Sequence, residues 1–162
     1  MMLKKIFTVC FFFFTTACGY EATLSKKNSK NYNFSISSIK YEGDRDVNLK
    51  IKQKFSNYVL NEQDKKFRLN VKSEAIKVVL AKDVQGNPTS FKNTTIVNVE
   101  VFIENNLKNR LKVEKVFKYN NNSNKYDLKR YEKELKTNLA ETIADELIFK
   151  LSNIQWLLSH LN

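Results

Sequence analysis

The sequence predicts an α+β domain: a two-layer sandwich in which a four-stranded, mixed but mostly antiparallel sheet carries two helices on one face, in the order β-α-β-β-β-α. Three observations predict it. Apolar and polar residues alternate over long stretches at 67–80, 91–103 and 111–118, the period of half-buried strands. Two other stretches space their apolar residues by three and four, the period of a helix packed on one side. Three glycines and one proline in 162 residues leave little material for tight turns, so the regular elements are long.

The first strand runs from Tyr32 to Tyr41. Tyr32, Phe34 and Ile36 share one parity and Ile39 and Tyr41 the other, which predicts a bulge near Ser37-Ser38. Gly43-Asp44 ends it. Asp44 or Asp46 can then cap a helix by accepting its free amide hydrogens. Val47, Ile51, Phe55, Tyr58 and Val59 recur at helical spacing, and Asn61-Glu62-Gln63-Asp64 closes the helix. In the second strand Phe67, Leu69 and Val71 are followed by Ile76, Val78 and Leu80. The parity change near Ser73 to Ala75 predicts a second bulge. Gln85-Gly86-Asn87-Pro88-Thr89 is a turn. Phe91 and residues Ile96 to Ile103 make the third strand, and Asn105 to Asn109 turns the chain again. In the fourth strand Leu111, Val113, Lys115 and Phe117 alternate with Lys112, Glu114, Val116 and Lys118.

Strands two to four should form an antiparallel meander. The first, joined to the second through a helix, can lie parallel to its neighbour. After the asparagine-rich loop from Tyr119 to Asn124 comes a long helix. Its stripe is Leu128, Tyr131, Leu135, Leu139, Ile143, Leu147, Leu151, Ile154, Leu158 and Leu161. The sheet face turned away from the helices should carry Lys, Arg, Asn and Glu and meet solvent or a partner.

Residues 1–17 read as an export leader: Lys4 and Lys5, an apolar run from Ile6 to Phe14, then Thr15-Thr16-Ala17 before Cys18. The apolar run is too short to span a bilayer, which takes about 20 residues. A cysteine directly after small residues resembles the bacterial lipobox, with Thr15 where that pattern prefers an aliphatic side chain. The resemblance implies that the Cys18 thiol takes a diacylglyceryl group, and that the new amine takes an acyl chain such as palmitate. Several acyl chains hold a membrane far more durably than one. Gly19, rather than aspartate, implies the outer membrane under the lipoprotein sorting rule. Residues 18–31, polar and without apolar period, form the expected tether, and 32–162 the single domain. Cys18 is the one cysteine left after the leader, so no intramolecular disulfide is expected.

The chain has a net charge of +11 and stays strongly basic once Lys4 and Lys5 leave with the leader. In an exported, tethered protein this charge points to envelope polyanions and not to nucleic acid. Catalytic constellations are missing from the sequence. His160 stands near the chain end, and no Cys/His cluster has metal-ligand spacing. Asp44/Asp46 and Asp145/Glu146 read as capping and solvated helix surface. The expectation is a protein that is not an enzyme and has no cofactor or metal beyond its lipid chains.

The ordered elements carry a further resemblance. Cys18-Gly19-Tyr20 with its tether, Val79-Leu80-Ala81-Lys82-Asp83 before the Gly86-Asn87-Pro88 turn, and the alternating strand from Thr94 to Ile103 come first. Phe117-Lys118-Tyr119-Asn120 and the helix segment from Leu139 to Leu147 complete the set. Together they resemble LptE, the lipopolysaccharide-assembly lipoprotein family. The resemblance implies a plug inside an LptD-type outer-membrane β-barrel that helps assemble the barrel and pass lipopolysaccharide to the surface. Under it, Lys82, Lys92, Arg110, Lys112, Lys115 and Lys118 are the candidate phosphate contacts, since lysine–phosphate pairs are charge-assisted hydrogen bonds. Two alternatives stay open: a lipid-anchored periplasmic protein with a preformed apolar ligand pocket, and an adaptor of another envelope complex.

Overall fold

The structure, a computed structural model, describes residues 34–59 and 66–160, the side chains of 155–160 apart. The leader, Cys18, the tether, the Asn61-Glu62-Gln63-Asp64 helix end and the stripe position Leu161 lie outside what is described, as does the side chain of Leu158. The elements are β1 (Ser35–Gly43), α1 (Arg45–Val59), β2 (Lys66–Lys82), β3 (Pro88–Ile103), β4 (Asn106–Asn120) and α2 (Lys125–His160). The four strands lie side by side in chain order. β1 runs parallel to β2, and β2, β3 and β4 form an antiparallel meander. The α1 crossover is what permits the parallel pair. Both helices pack against each other and against the sheet, so the α+β order and the mixed sheet are as the sequence predicts.

The β1–α1 junction depends on Gly43. Its φ is +97°, and a Cβ there would sit 1.9 Å from the Ser73 carbonyl oxygen. The close approach lets the Asp44 amide donate to that same oxygen at 3.1 Å. Asp44 is then the N-cap of α1: its Oδ1 accepts from the amides of Asp46 and Val47, both at 3.0 Å. Val47, Ile51 and Phe55 bury the inner face of α1. Asn124 does the same service for α2, accepting from the Tyr126 amide at 3.0 Å and the Asp127 amide at 3.3 Å.

The core lies between the sheet and the helices. Phe34, just before β1, and Ile36, Phe67, Leu69, Val71, Val97, Val99 and Val101 of the strands are buried there, as are Ile143, Leu147 and Leu151 of α2, with α1 packed on β1 and β2 and α2 on β3 and β4. Each such side chain contributes roughly 1.5–3 kcal/mol when fully buried. A second apolar cluster, Phe91, Tyr119 and Leu135 with Leu128 and Leu139, extends the core toward the start of α2. Tyr131 of the predicted stripe stays half-exposed.

The two predicted bulges fare differently. In β1 the register shifts between Ile36 and Ser38, which brings Ile36 opposite Phe67 and Ile39 opposite Leu69, both on the helix side. In β2 the ladder to β3 is unbroken from Arg68 to Val79, so the expected bulge at Ser73 to Ala75 is absent and the shift comes later, around Ala81. Ile76 and Val78 therefore stay on the face away from the helices. The second turn is also tighter than expected. Glu104 (φ +50°) and Asn105 (φ +67°) make a two-residue hairpin of primed type, and β4 begins at Asn106.

Candidate functional site

The face of the sheet opposite the helices is uncovered by any described element. Its residues can be read row by row from the ladders. Val78, Lys92 and Lys118 stand side by side; next come Ile76, Thr94 and Val116; then Glu74, Ile96 and Glu114. Further along, Lys72, Asn98 and Lys112 are followed by Asn70, Glu100 and Arg110. Paired residues share a face, so these rows are true surface neighbours.

The far end of this face is apolar. Ile76 and Val78 are each 38% exposed and Val116 is 49% exposed. Lys92 and Lys118 border the patch on one side and Glu74 and Glu114 on the other. The open face carries Lys, Arg, Asn and Glu as expected, and this apolar end in addition. With no bulge at Ser73 to Ala75, the second apolar triplet of β2 cannot return to the core.

The other half of the face is polar. Lys40, Glu42, Asn70, Lys72, Asn98 and Glu100 line a shallow groove of about 300 Å³ across β1, β2 and β3. Lys40 pairs with Glu42 at 2.9 Å, and that partner holds the Glu42 carboxyl below its ordinary value. At the near end the Arg68 guanidinium stacks over Phe102, 4.3 Å from the ring centre.

The six candidate basic residues separate. Lys92 and Lys118 are directly opposite each other across β3 and β4 and form no salt bridge among the described residues. Like charges placed so are mutually repulsive, and an anion between them would relieve both. Arg110 is drawn to Glu100, Nε to Oε1 at 3.2 Å, and Lys112 to Glu114 at 3.1 Å. Lys82 ends β2 beside the Asp83–Asn87 turn, where Asp83 accepts from the Gln85 and Asn87 amides. Lys115 lies on the opposite, helix-covered face. Its ammonium is 2.6 Å from Glu146 of α2, and this hydrogen bond lowers the Glu146 carboxyl pKa. The structure brings together Lys92 and Lys118, and parts Lys115 from them.

Sequence reasoning passed over Ile76, Val78 and Val116 as surface residues. The signal was present: Ile76 and Val78 have parity opposite to Phe67, Leu69 and Val71. Among the described residues no helix is long and apolar enough to cross a membrane.

No family model matches the chain, and no curated protein matches it either. Solved structures do share its fold. Rare lipoprotein B from Shewanella oneidensis superposes with a TM-score of 0.61 at 11% identity, over 76% of this chain and 99% of that one. A minor lipoprotein from Acinetobacter baumannii gives 0.56 at 11% identity, over 75% and 95%. Lipoprotein B from Nitrosomonas europaea gives 0.54 at 10% identity, over 76% and 87%. At these identities the likeness is one of fold: the sheet and helices described above are an architecture found in bacterial lipoproteins.

Proposed function

We propose that this chain is a non-enzymatic lipoprotein of the outer membrane, anchored through acylated Cys18. Its open sheet face enters an LptD-type β-barrel, assists the assembly of that barrel and helps lipopolysaccharide through it. The observation that carries the reading is the fold likeness to three bacterial lipoproteins over 87% or more of their own length. The leader ending at Cys18 supports it, as does an uncovered face that is apolar at one end and basic at its border. A barrel wall supplies alternating side chains facing inward, a surface able to meet such a face. Lys92 and Lys118 are the contacts best placed for a lipopolysaccharide phosphate.

The alternative of a ligand pocket between helices and sheet has less support. That interface is filled by Phe34, Phe55, Phe67, Ile51, Ile143 and Leu147. Among the described residues an apolar groove runs along the open edge of β1, between Ile39 and Tyr41 of that strand and Lys52, Ser56 and Val59 of α1.

The test is purification of the tagged chain from detergent-solubilised outer membranes, with mass spectrometry of its N-terminus. The expected result is an acylated Cys18 and a co-purifying large β-barrel. Depletion of the chain should lower both the assembled barrel and surface lipopolysaccharide. A mature chain that starts elsewhere, or a normal barrel and surface after depletion, removes the reading.

A further inference from the structure

β1 is an edge strand: β2 flanks it on one side and, among the described residues, no strand flanks it on the other. Along a strand, alternate residues turn their N–H and C=O groups to opposite edges. The Glu42 carbonyl faces β2, where it accepts from the Ser73 hydroxyl at 3.5 Å, and the Asp44 amide donates to the Ser73 carbonyl at 3.1 Å. Lys40 shares that parity. Ile39 and Tyr41 therefore turn their backbone groups to the open side. The register shift lies before Ser38, so the ladder from Ser38 to Gly43 is regular. Proteins blunt such edges with charges, prolines and bulges. At the other edge of the sheet, β4 carries Arg110, Lys112, Glu114, Lys115 and Lys118. Between Ser38 and Tyr41, β1 has one charge, Lys40, which is already paired with Glu42.

A second observation falls on the same edge. The apolar groove between Ile39 and Tyr41 of β1 and Lys52, Ser56 and Val59 of α1 has a volume of about 330 Å³. A strand laid beside β1 sends every second side chain to the helix side, toward this groove. On α1 the row Val59, Ser56, Lys52 continues through Leu49 to Arg45, spaced by three and four. Unlike the inner row of Val47, Ile51 and Phe55, it is left open: Leu49 is 53% exposed and Val59 43%. Both of its charges are positive. Neither Arg45 nor Lys52 has a salt bridge among the described residues, and Arg45 acts on Asp46 only through its field.

We propose that the open edge of β1 takes up an extended segment of another protein, apolar at its centre and acidic beside it, as a fifth strand. Ile39 and Tyr41 supply the main-chain hydrogen bonds, which give such pairing its affinity. The segment's apolar side chains fill the groove, and its carboxylates meet Lys52 and Arg45 in charge-assisted hydrogen bonds. Charge decides against a second copy of this chain. Its β1 would bring another Arg45–Lys52 row against the first, and its β4 is itself basic. The surface is the edge of the sheet and not its open face, so the proposal neither needs nor excludes the barrel.

The experiment uses the full mature chain in detergent, with hydrogen exchange of the Ile39 and Tyr41 backbone amides followed by nuclear magnetic resonance. The probe is the blocked peptide Thr-Glu-Thr-Val-Thr-Val-Thr-Glu-Thr, whose glutamates and valines share one face when it is extended. It should slow exchange at both amides. N-methylation of every second residue should abolish binding in one phase and spare it in the other, because a single edge of the peptide is bonded. Lysine in place of both glutamates should weaken binding by about tenfold or more. The exposed substitution Lys52→Glu should leave the fold intact and reverse that preference. Amides that exchange as fast with the peptide as without it overturn the proposal, as does equal binding of the two N-methyl phases or of the glutamate and lysine peptides. Slow exchange without peptide, together with a dimer in sedimentation, overturns it in favour of a second copy. A groove that takes dodecanoate and not the peptide overturns it in favour of an acyl chain.

Discussion

Lys136 of α2 reaches to 3.1 Å from Asp44, the residue that caps α1. One carboxylate thus ends one helix and ties it to the other. The side chains are 24% and 21% exposed, dry enough for the pair to matter more than an open surface bridge. Asp44→Asn should keep the cap, because asparagine caps as well as aspartate, and lose only the tie. Asp44→Ala should lose both, costing roughly 1–2 kcal/mol for the cap alone by comparison with measured caps. Urea denaturation of the two variants should rank Ala below Asn below the parent. Equal midpoints for Asn and Ala would show that Asp44 Oδ1 does not hold the helix end.

Acid should loosen the helix pair. The Lys136 hydrogen bond and charge hold the Asp46 carboxyl below its ordinary value, and those of Lys54 and Lys50 do the same for Glu141. The Lys115 bond lowers Glu146, tying α2 to β4. A carboxyl whose pKa is lower folded than unfolded contributes stability that is full above the unfolded pKa. That contribution fades as pH falls through the folded one. The melting temperature should therefore hold from neutrality to about pH 5 and drop below it, the usual carboxylate window. Lys54→Met, which removes partners of both Glu141 and Asp145, should make the drop shallower. A melting temperature level down to about pH 3 would contradict this.

Gly43 is the position least tolerant of a side chain. The new Cβ of Gly43→Ala would press on the Ser73 carbonyl and sit at a positive φ that alanine rarely adopts. Relief requires β1 to move off β2 or α1 to lose the Asp44 amide bond to Ser73. The expected loss is about 2–4 kcal/mol, read as a fall in the unfolding midpoint. Gly86→Ala is the control. Its φ is also positive, but nothing lies near the new Cβ, so its cost should be the backbone strain alone, about 1 kcal/mol.

How far the fold could be read from the sequence is clearest in two parity changes. In β1, Ile36 and Ile39 differ in parity and a bulge reconciles them. In β2, Val71 and Ile76 differ in the same way and nothing reconciles them. Period-two alternation states which residues share a face and is blind to whether a change marks a bulge or an apolar surface. The choice is made by the partner strand: β3 offers an uninterrupted ladder from Phe91 to Phe102. On the helix side the positions in question are Ala75 and Lys77, and Lys77 is held there by Glu132 and Phe91. The candidate site was legible as a set of strand lysines. The neighbours Lys92 and Lys118, and the diversion of Lys115 to Glu146, depend on register and helix placement, which local pattern does not contain.

The open face yields the last prediction. Ile76 and Val116 flank Thr94 on the uncovered side of the sheet, where their apolar surface gains nothing from the protein's own core. Ile76→Lys with Val116→Lys should leave circular dichroism and the melting temperature within the range of ordinary surface substitutions, about ±0.5 kcal/mol. If this face meets a barrel wall, the same double variant should lose the co-purifying barrel, because two charges would be buried without partners at the contact. Lys92→Glu with Lys118→Glu should behave differently. It reverses the border of the patch and leaves the apolar surface, so barrel recovery should persist while binding to lipopolysaccharide weakens about tenfold. Lys115→Gln is the internal comparison. Its ammonium is spent on Glu146 across the helix-covered face, so it should cost some stability and leave lipopolysaccharide binding unchanged. A barrel recovered equally well with the Ile76/Val116 variant would show that this face points to solvent.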